Sequence, residues 1–415
     1  MLTAEPASAN RIPLEGDREL GSVVIATESQ DLLLHRWHVR LRPWFFCLVT
    51  LIVAELVARV YFDGTLCLEP ERFDNYPSIA MENAFIGQMR RDAAYKVVMI
   101  GDSTVVGSSL LDKSETVPRL LETELQSRVP DRRIHVWNMS IAGARATDEL
   151  CVLLSVLSAK PDIVIVEANY FMADMDVSGL PLMYPWLAYN LPSVPGSLVS
   201  IVPKRDWKRR FEDGVKSMVE DHIRLVGLRQ AINAKVFGVQ PRREPFEAAN
   251  PAVMLAVGVA KRLHKLKLAN WRQTGLDPKV GWDYKYGVHP IGHDNFNRRY
   301  FREIIETLWN HRTKAVAYLT PQNPAITHTV MTPQWYAGGR RVLQGFLTGQ
   351  GVVAYDYSDL VPNELFEDND HMLAEGNRRL AAALASVLTP RIKESSTGAA
   401  VHADTGPTQN RSNSG

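Results

Sequence analysis

The sequence predicts an α/β protein built on a parallel sheet and preceded by one transmembrane helix. Three observations carry this. Short apolar runs at 97–100, 134–137, 163–166, 315–319 and 352–355 have the length of strands buried on both faces, without the alternation of half-exposed strands. Stretches with helical apolar spacing lie between several of these runs. A separate apolar stretch near the start follows a basic flank and is long enough to cross a bilayer.

Taken in order, residues 1–35 are polar and mixed, with Pro and Gly, and are expected to form a disordered cytoplasmic leader. Arg36, Arg40 and Arg42 then precede the apolar residues 43–62. That stretch is about 20 residues, the length of a membrane span. Pro43 suits the first turn of a helix, and Trp44 and Tyr61-Phe62 suit the two interfacial edges. Glu55 and Arg59 are one turn apart and can pair, and Arg59 can snorkel. The far flank is acidic, with Asp63, Glu69 and Glu71. The basic flank therefore places the N-terminus in the cytoplasm, and the remaining chain outside, periplasmic or extracellular. No small-x-small cleavage site follows the apolar stretch, which argues against a removed signal peptide.

The α/β pattern runs through residues 63–392. Helices are expected at Thr116–Arg128 and Thr147–Ser158. A last one runs from about Ala374 to Leu388, with Leu380, Leu384 and Leu388 on one face. Residues 393–415 are rich in Ser, Thr, Gly and Asn and are expected to be a disordered tail. Residues 171–314 form an insertion too long for a simple crossover. It opens on the apolar Pro181–Tyr189, continues into basic segments at Lys204–Arg210 and Lys261–Lys267, and reaches an aromatic stretch at Tyr284–Tyr300. The basic segments could rest on anionic headgroups or be ordinary solvated faces. The aromatic stretch could line a sugar site or pack a lid.

The chemistry sits at strand ends. Gly101-Asp102-Ser103 follows the first run, and Asp368-Asn369-Asp370-His371 follows the last. A serine hydroxyl needs a base to take its proton and a carboxylate to orient that base. Ser103, His371 and Asp368 supply those three roles, with Asp370 as the other carboxylate beside His371. Gly143, after the second run, lets backbone approach a ligand closely, and Asn169, after the third, offers an amide. Open parallel sheets place ligands at the carboxyl ends of their strands.

On these residues the chain resembles the SGNH (GDSL-like) hydrolase superfamily, whose four blocks carry Ser, Gly, Asn and His. Here they correspond to Ser103, Gly143, Asn169 and His371, with Asp368 completing a triad, over roughly Lys96 to Val387. The third block departs from the usual Gly-x-Asn-Asp and reads Glu167-Ala168-Asn169-Tyr170. Thr104 stands where Leu is common, a change expected to matter little. The resemblance implies a flavodoxin-like three-layer fold. It also implies a serine esterase or O-acyltransferase whose oxyanion hole is the Ser103 and Gly143 N–H groups and the Asn169 amide. With the anchor, it is similar to membrane-anchored bacterial envelope proteins of polysaccharide O-acetylation and teichoic-acid D-alanyl transfer. That similarity implies an acylated carbohydrate or lipid substrate, with the membrane and a membrane-bound O-acyltransferase as partners. A lipase or lysophospholipase with Pro181–Tyr189 as acyl groove, and a non-catalytic component of a polysaccharide assembly complex, are the alternatives.

Composition sets bounds. The net charge of +1 over 415 residues gives no nucleic-acid signal, and 46% hydrophobic content supports a large core. Three cysteines, Cys47, Cys67 and Cys151, are too few for a disulfide framework. His289 and His293 are separated by Pro290 and Gly292, which argues against a helical metal site. Neither a metal nor a cofactor is expected.

Overall fold

The computed structural model describes residues 28–65, 79–107, 110, 112–170, 182–204, 206–229, 232, 296–330 and 332–397. The chain divides into two units, 1–56 and 57–415. Helix α1 (Glu28–Thr65) runs across that boundary. It begins inside the leader expected to be disordered, and Pro43 lies in its interior rather than in its first turn. Within it, Pro43–Tyr61 has a mean hydropathy of 1.9 and is long and apolar enough to cross a membrane. Trp44, Phe45, Phe46, Leu48 and Leu51 are exposed there.

The larger unit is an α/β fold on a five-stranded parallel sheet of order β2-β1-β3-β4-β5. The strands are β1 (Tyr95–Ile100), β2 (Ile134–Asn138), β3 (Ile163–Ala168), β4 (Lys314–Leu319) and β5 (Val353–Asp356). This is the flavodoxin-like order, in which the switch point lies between β1 and β3. Register is in step across the centre: Val97 pairs with Val136 on one side and Ile163 on the other.

The apolar runs are continuous because each strand feeds two cores. Val98, Ile100, Val164 and Val166 belong to one; Val97, Met99, Ile163 and Ile165 belong to the other. Side chains alternate across a strand, so a strand covered on both faces is apolar throughout. The first core is covered by α2 (Ile79–Arg91) and α5 (Ala146–Leu157). The second is covered by α4 (Val117–Arg128), whose Val117, Leu121 and Leu125 recur at four-residue spacing. A four-residue helix, α3 (Ser103–Val106), follows β1.

The insertion contributes α6 (Pro185–Asn190), α7 (Gly196–Val199), α8 (Trp207–His222), α9 (Arg224–Gly227) and α10 (Phe296–Asn310). Much of it is core rather than appendage. Leu182, Tyr184, Leu187 and Ala188 are buried, as are Tyr300, Phe301, Ile304 and Leu308 of α10. Within the expected acyl groove Pro181–Tyr189, of which Pro181 lies outside the described residues, Leu182, Tyr184, Leu187 and Ala188 therefore pack the domain core. Lys261–Lys267, His289, His293, Cys67 and most of Tyr284–Tyr300 lie outside the described residues. Cys47 and Cys151 are free thiols.

Two helices follow β4, α11 (Pro324–Val330) and α12 (Pro333–Gly349), and the fold closes on α13 (Ala374–Thr397). Helix α13 runs beyond its expected end at Leu388, through Pro390 and into the stretch expected to be a tail. Pro390 removes one helical hydrogen bond. Packing holds the extension. Ile392 is buried with Leu380, Leu384 and Leu388, and Arg132 Nη1 donates to Ile392 O (3.2 Å) and Ser395 Oγ (2.9 Å).

Candidate active site

Every residue of the site follows the carboxyl end of a strand. Ser103 opens α3 directly after β1, with Asp102 as its N-cap accepting from Thr104 N–H at 2.9 Å. Gly143 follows β2 in a turn with φ +71°, in the left-handed region that a side chain disfavours. Asn169 follows β3. Asp368–His371 follow β5 in a loop closed by the Phe366–Met372 bridge and by Glu367 N–H donating to His371 O at 2.8 Å.

The loop after β4 clamps that turn. Asn323 N–H donates to Asn369 O (2.8 Å) and Asn323 Nδ2 to Asp368 O (2.9 Å). So held, His371 places Nε2 2.9 Å from Ser103 Oγ and Nδ1 2.8 Å from Asp368 Oδ2. Asp368 Oδ1 also accepts the backbone N–H groups of Asp370 (3.1 Å) and His371 (2.8 Å), which fixes the carboxylate against the ring. A second carboxylate stands nearby, with Asp370 Oδ1 3.2 Å from Nδ1. Of the two, Asp368 is the nearer.

Asp370 has a further tie. Its Oδ2 accepts from Asn169 Nδ2 at 3.0 Å, and the same amide nitrogen donates to Asp102 Oδ2 at 2.8 Å. Gln322 Nε2 donates to Asn169 Oδ1 at 3.3 Å, which fixes the orientation of the amide. Both protons of the expected oxyanion donor are thus given to carboxylates in this state. The two backbone candidates differ: the N–H groups of Ser103 and Gly143 have no protein acceptor among the described residues.

Electrostatics follow from this crowding. Burial alone would lower the pKa of His371, but the charges of Asp370 and Asp368 prevail and hold it well above its ordinary value. Burial opposes ionisation of Asp368, yet the imidazole and two backbone N–H groups hold it below the usual range. Asp102 is raised by burial and then by the charge of Asp370.

One protein-family model matches residues 293–393, the segment carrying β4, β5 and the Asp368–His371 loop. No curated protein matches the chain in sequence. Among solved structures, the chain is similar to one titled as the crystal structure of TesA. That similarity is at 12% identity and TM-score 0.35, over 71% of this chain and 98% of that one. It is similar to an acetyl xylan esterase, AlAXEase, at 11% identity and TM-score 0.34, over 71% and 99%. It is also similar to a carbohydrate acetylesterase from Sinorhizobium meliloti, Est24, at 11% identity and TM-score 0.31, over 71% and 99%. The chemistry of the site stands on its own geometry.

Glu167 is fully buried at the end of β3 and reaches under the Ser103 loop. Its Oε2 accepts Asp102 N–H at 2.8 Å; its Oε1 accepts from the hydroxyls of Thr320 (2.5 Å) and Thr104. Thr104 is therefore a support of the nucleophile loop and not an incidental replacement. Burial, then the charge of Asp102, push the Glu167 carboxyl well above the usual range. Burial does the same to Glu149, with the charge of Glu167 next. These residues lack a sequence signal of their own, although Thr320-Pro321-Gln322-Asn323 stands directly at a strand end where site residues collect.

Gly101 makes room for Glu167. A Cβ there would lie 2.2 Å from Glu167 Oε2 and 2.7 Å from Glu167 Cβ. Gly101→Ala is expected to destabilise the domain by about 1–3 kcal/mol through overpacking. Displacing the loop by even an ångström should also cost turnover on the order of 100-fold. Denaturant midpoints and ester turnover of the purified variant check both.

Proposed function

We propose that the chain is a serine-dependent O-acyl esterase or acyltransferase of SGNH type. The observation that carries this is the continuous line Ser103 Oγ–His371 Nε2 (2.9 Å) and His371 Nδ1–Asp368 Oδ2 (2.8 Å). Ser103 Oγ attacks the acyl carbonyl as His371 Nε2 takes its proton. Asp368 holds the ring in the tautomer that leaves Nε2 free to accept, and stabilises the imidazolium that forms. The Ser103 and Gly143 N–H groups bind the developing oxyanion. Asn169 joins them by releasing one of its two carboxylates. His371 then returns the proton to the leaving alcohol. Water in the second half gives hydrolysis; another hydroxyl gives transfer.

The two carboxylates around Nδ1 have a consequence for pH. A base must be neutral to act, and the charges of Asp370 and Asp368 favour the protonated ring. The rising limb of kcat/KM, which reports the free enzyme, is expected above the ordinary imidazole value of about 6.5. Activity falls as pH drops through that limb. Initial rates on an aryl acetate across the alkaline range check it; a limb at or below the ordinary value contradicts the assignment.

Location supports an envelope substrate. The basic residues Arg36, Arg40 and Arg42 precede the span, and Asp63, Glu69 and Glu71 follow it. By the charge bias the catalytic domain lies outside the cytoplasm. There, soluble acyl-coenzyme A is absent. The acyl group, acetyl in this reading, reaches Ser103 from an existing ester on an envelope polysaccharide or through a membrane-bound O-acyltransferase partner. A reporter active only outside the cytoplasm should give signal when fused after the last residue and none when fused before Arg36. The reverse pattern removes the envelope reading while leaving the serine chemistry intact.

A further inference from the structure

Helix α8 carries an apolar face with no protein cover among the described residues. Trp207, Phe211, Val215 and Met218 follow an i, i+4, i+8, i+11 spacing and so share one side of the helix. All four are exposed, Trp207 at 76% and Phe211 at 67%. Four large apolar side chains aligned on one exposed face are unlike the scattered single ones that every surface carries.

The flanks of that face are basic. On a helical projection Lys208 and Arg210 border the stripe on its two sides, where their stems can lie along it while the charges reach outward. Lys204 precedes the helix and is exposed. The opposite side carries Arg209, Asp213 and Lys216, while Glu212 lies beside Lys208 and pairs with it at 4.0 Å. An aromatic and aliphatic stripe bordered by Lys and Arg is the pattern of a helix lying in a membrane interface.

The position of α8 names the occupant. At its C-terminal end, the guanidinium of Arg59 donates to His222 O. Arg59 lies in the last turns of the apolar stretch Pro43–Tyr61. Asn83 Nδ2 of α2 donates to Asp221 Oδ1 at 3.0 Å, which fixes the same end of α8 to the domain. The C-terminal end of α8 is therefore tied to the last residues of the apolar stretch, which belong to the same unit. The rest of that stretch continues directly from these residues along the chain, so a bilayer that takes it up lies within reach of α8.

We propose that α8 is an interfacial membrane helix, seated in the headgroup region of the bilayer that holds the α1 span, with Trp207, Phe211, Val215 and Met218 inserted and the Lys and Arg flanks on anionic headgroups. It gives the catalytic domain a second contact with the membrane besides the single span. This inference is independent of the esterase chemistry and requires only that the span be inserted.

The test uses the full chain in liposomes. Cys47→Ala and Cys67→Ala remove two thiols and leave the buried Cys151. Phe211→Cys and Met218→Cys on the stripe, and Lys216→Cys on the opposite side, are each labelled with an environment-sensitive nitrobenzoxadiazole. Vesicles are phosphatidylcholine alone or mixed with phosphatidylglycerol, with or without acyl-chain bromination. The expected result is blue-shifted emission at 211 and 218, quenched at least twofold by brominated lipid and more strongly with phosphatidylglycerol, while the label at 216 keeps water-like emission. Equal quenching in both lipids sustains the inserted face and overturns the role of the basic flanks. Water-like emission at 211 and 218 in both lipids overturns the proposal. Blue-shifted emission that brominated lipid leaves unquenched also overturns it, since the face is then covered by protein, either another segment of this chain or a second copy. Retention of the chain after carbonate washing reports the span separately, so failure of α8 to insert is distinguishable from failure of the anchor.

Discussion

Ser103→Ala is expected to lower kcat for a small acetyl ester on the order of a millionfold, the scale found when a nucleophile is removed from a serine triad. The fold should survive. Ser103 is only partly buried, and its hydroxyl is bonded to His371 alone among the described residues. The loop around it is held by other groups, since Asp102 N–H and the Thr104 hydroxyl go to Glu167. A residual rate of about 10³–10⁴ over water would persist from the backbone donors and substrate binding. Circular dichroism and denaturant midpoints matching the wild type, together with near-total loss of turnover, are the expected pair. A folded variant with ordinary turnover removes the serine mechanism.

The second large effect is expected at Asp368. Replacing a triad aspartate by asparagine costs about 10⁴ in kcat when it is the sole partner of the ring. Here Asp370 stands 3.2 Å from the same nitrogen, so a second carboxylate remains. Asp368→Asn is therefore expected to lose on the order of 10²–10⁴ in kcat. The range depends on how far Asp370 takes over the 2.8 Å bond. Asp370→Asn should cost less, within about tenfold, a difference of roughly 1.4 kcal/mol in barrier. Its mark is in the pH profile. Asp370 leads the charges that raise His371, so removing it moves the rising limb of kcat/KM to lower pH. Rates of both variants and the double variant across pH separate orientation of the ring from its charge. If Asp370→Asn proves the more damaging in kcat, the orienting role belongs to Asp370.

The sheet and the line Ser103–His371–Asp368 were legible because each lies where the pattern is least ambiguous. A continuous apolar run such as Val97-Val98-Met99-Ile100 is what a strand between two cores requires, and a Ser directly after such a run falls at the ligand-binding edge. The supports of the site were not legible. Glu167 sits at the end of an apolar run and looks like the start of a loop; only the space left by Gly101 shows that a carboxylate fits beneath the nucleophile. The bond from Asn169 to Asp370 joins residues far apart in the chain, and nothing local announces that an amide will be divided between two acids. Helix ends failed for a related reason. The leucine stripe ends at Leu388, but burial of Ile392 carries α13 past it and through Pro390. Pro43 reads as a start, but α1 begins at Glu28. Local propensity marks where a helix can end, while packing decides where it does.

Both esterase and transferase chemistry require an acyl group on Ser103 between the two halves of the reaction. Trapping that species is therefore the most direct measurement. Wild-type chain and the Ser103→Ala variant are mixed with an activated acetyl ester, quenched in acid and digested. The peptide spanning Ser103 is then weighed and fragmented. The wild type is expected to carry one acetyl group on Ser103, and the variant none on that peptide. Turnover by the wild type with no acyl-enzyme under rapid quench, or an acetyl group on another residue in both proteins, would contradict it.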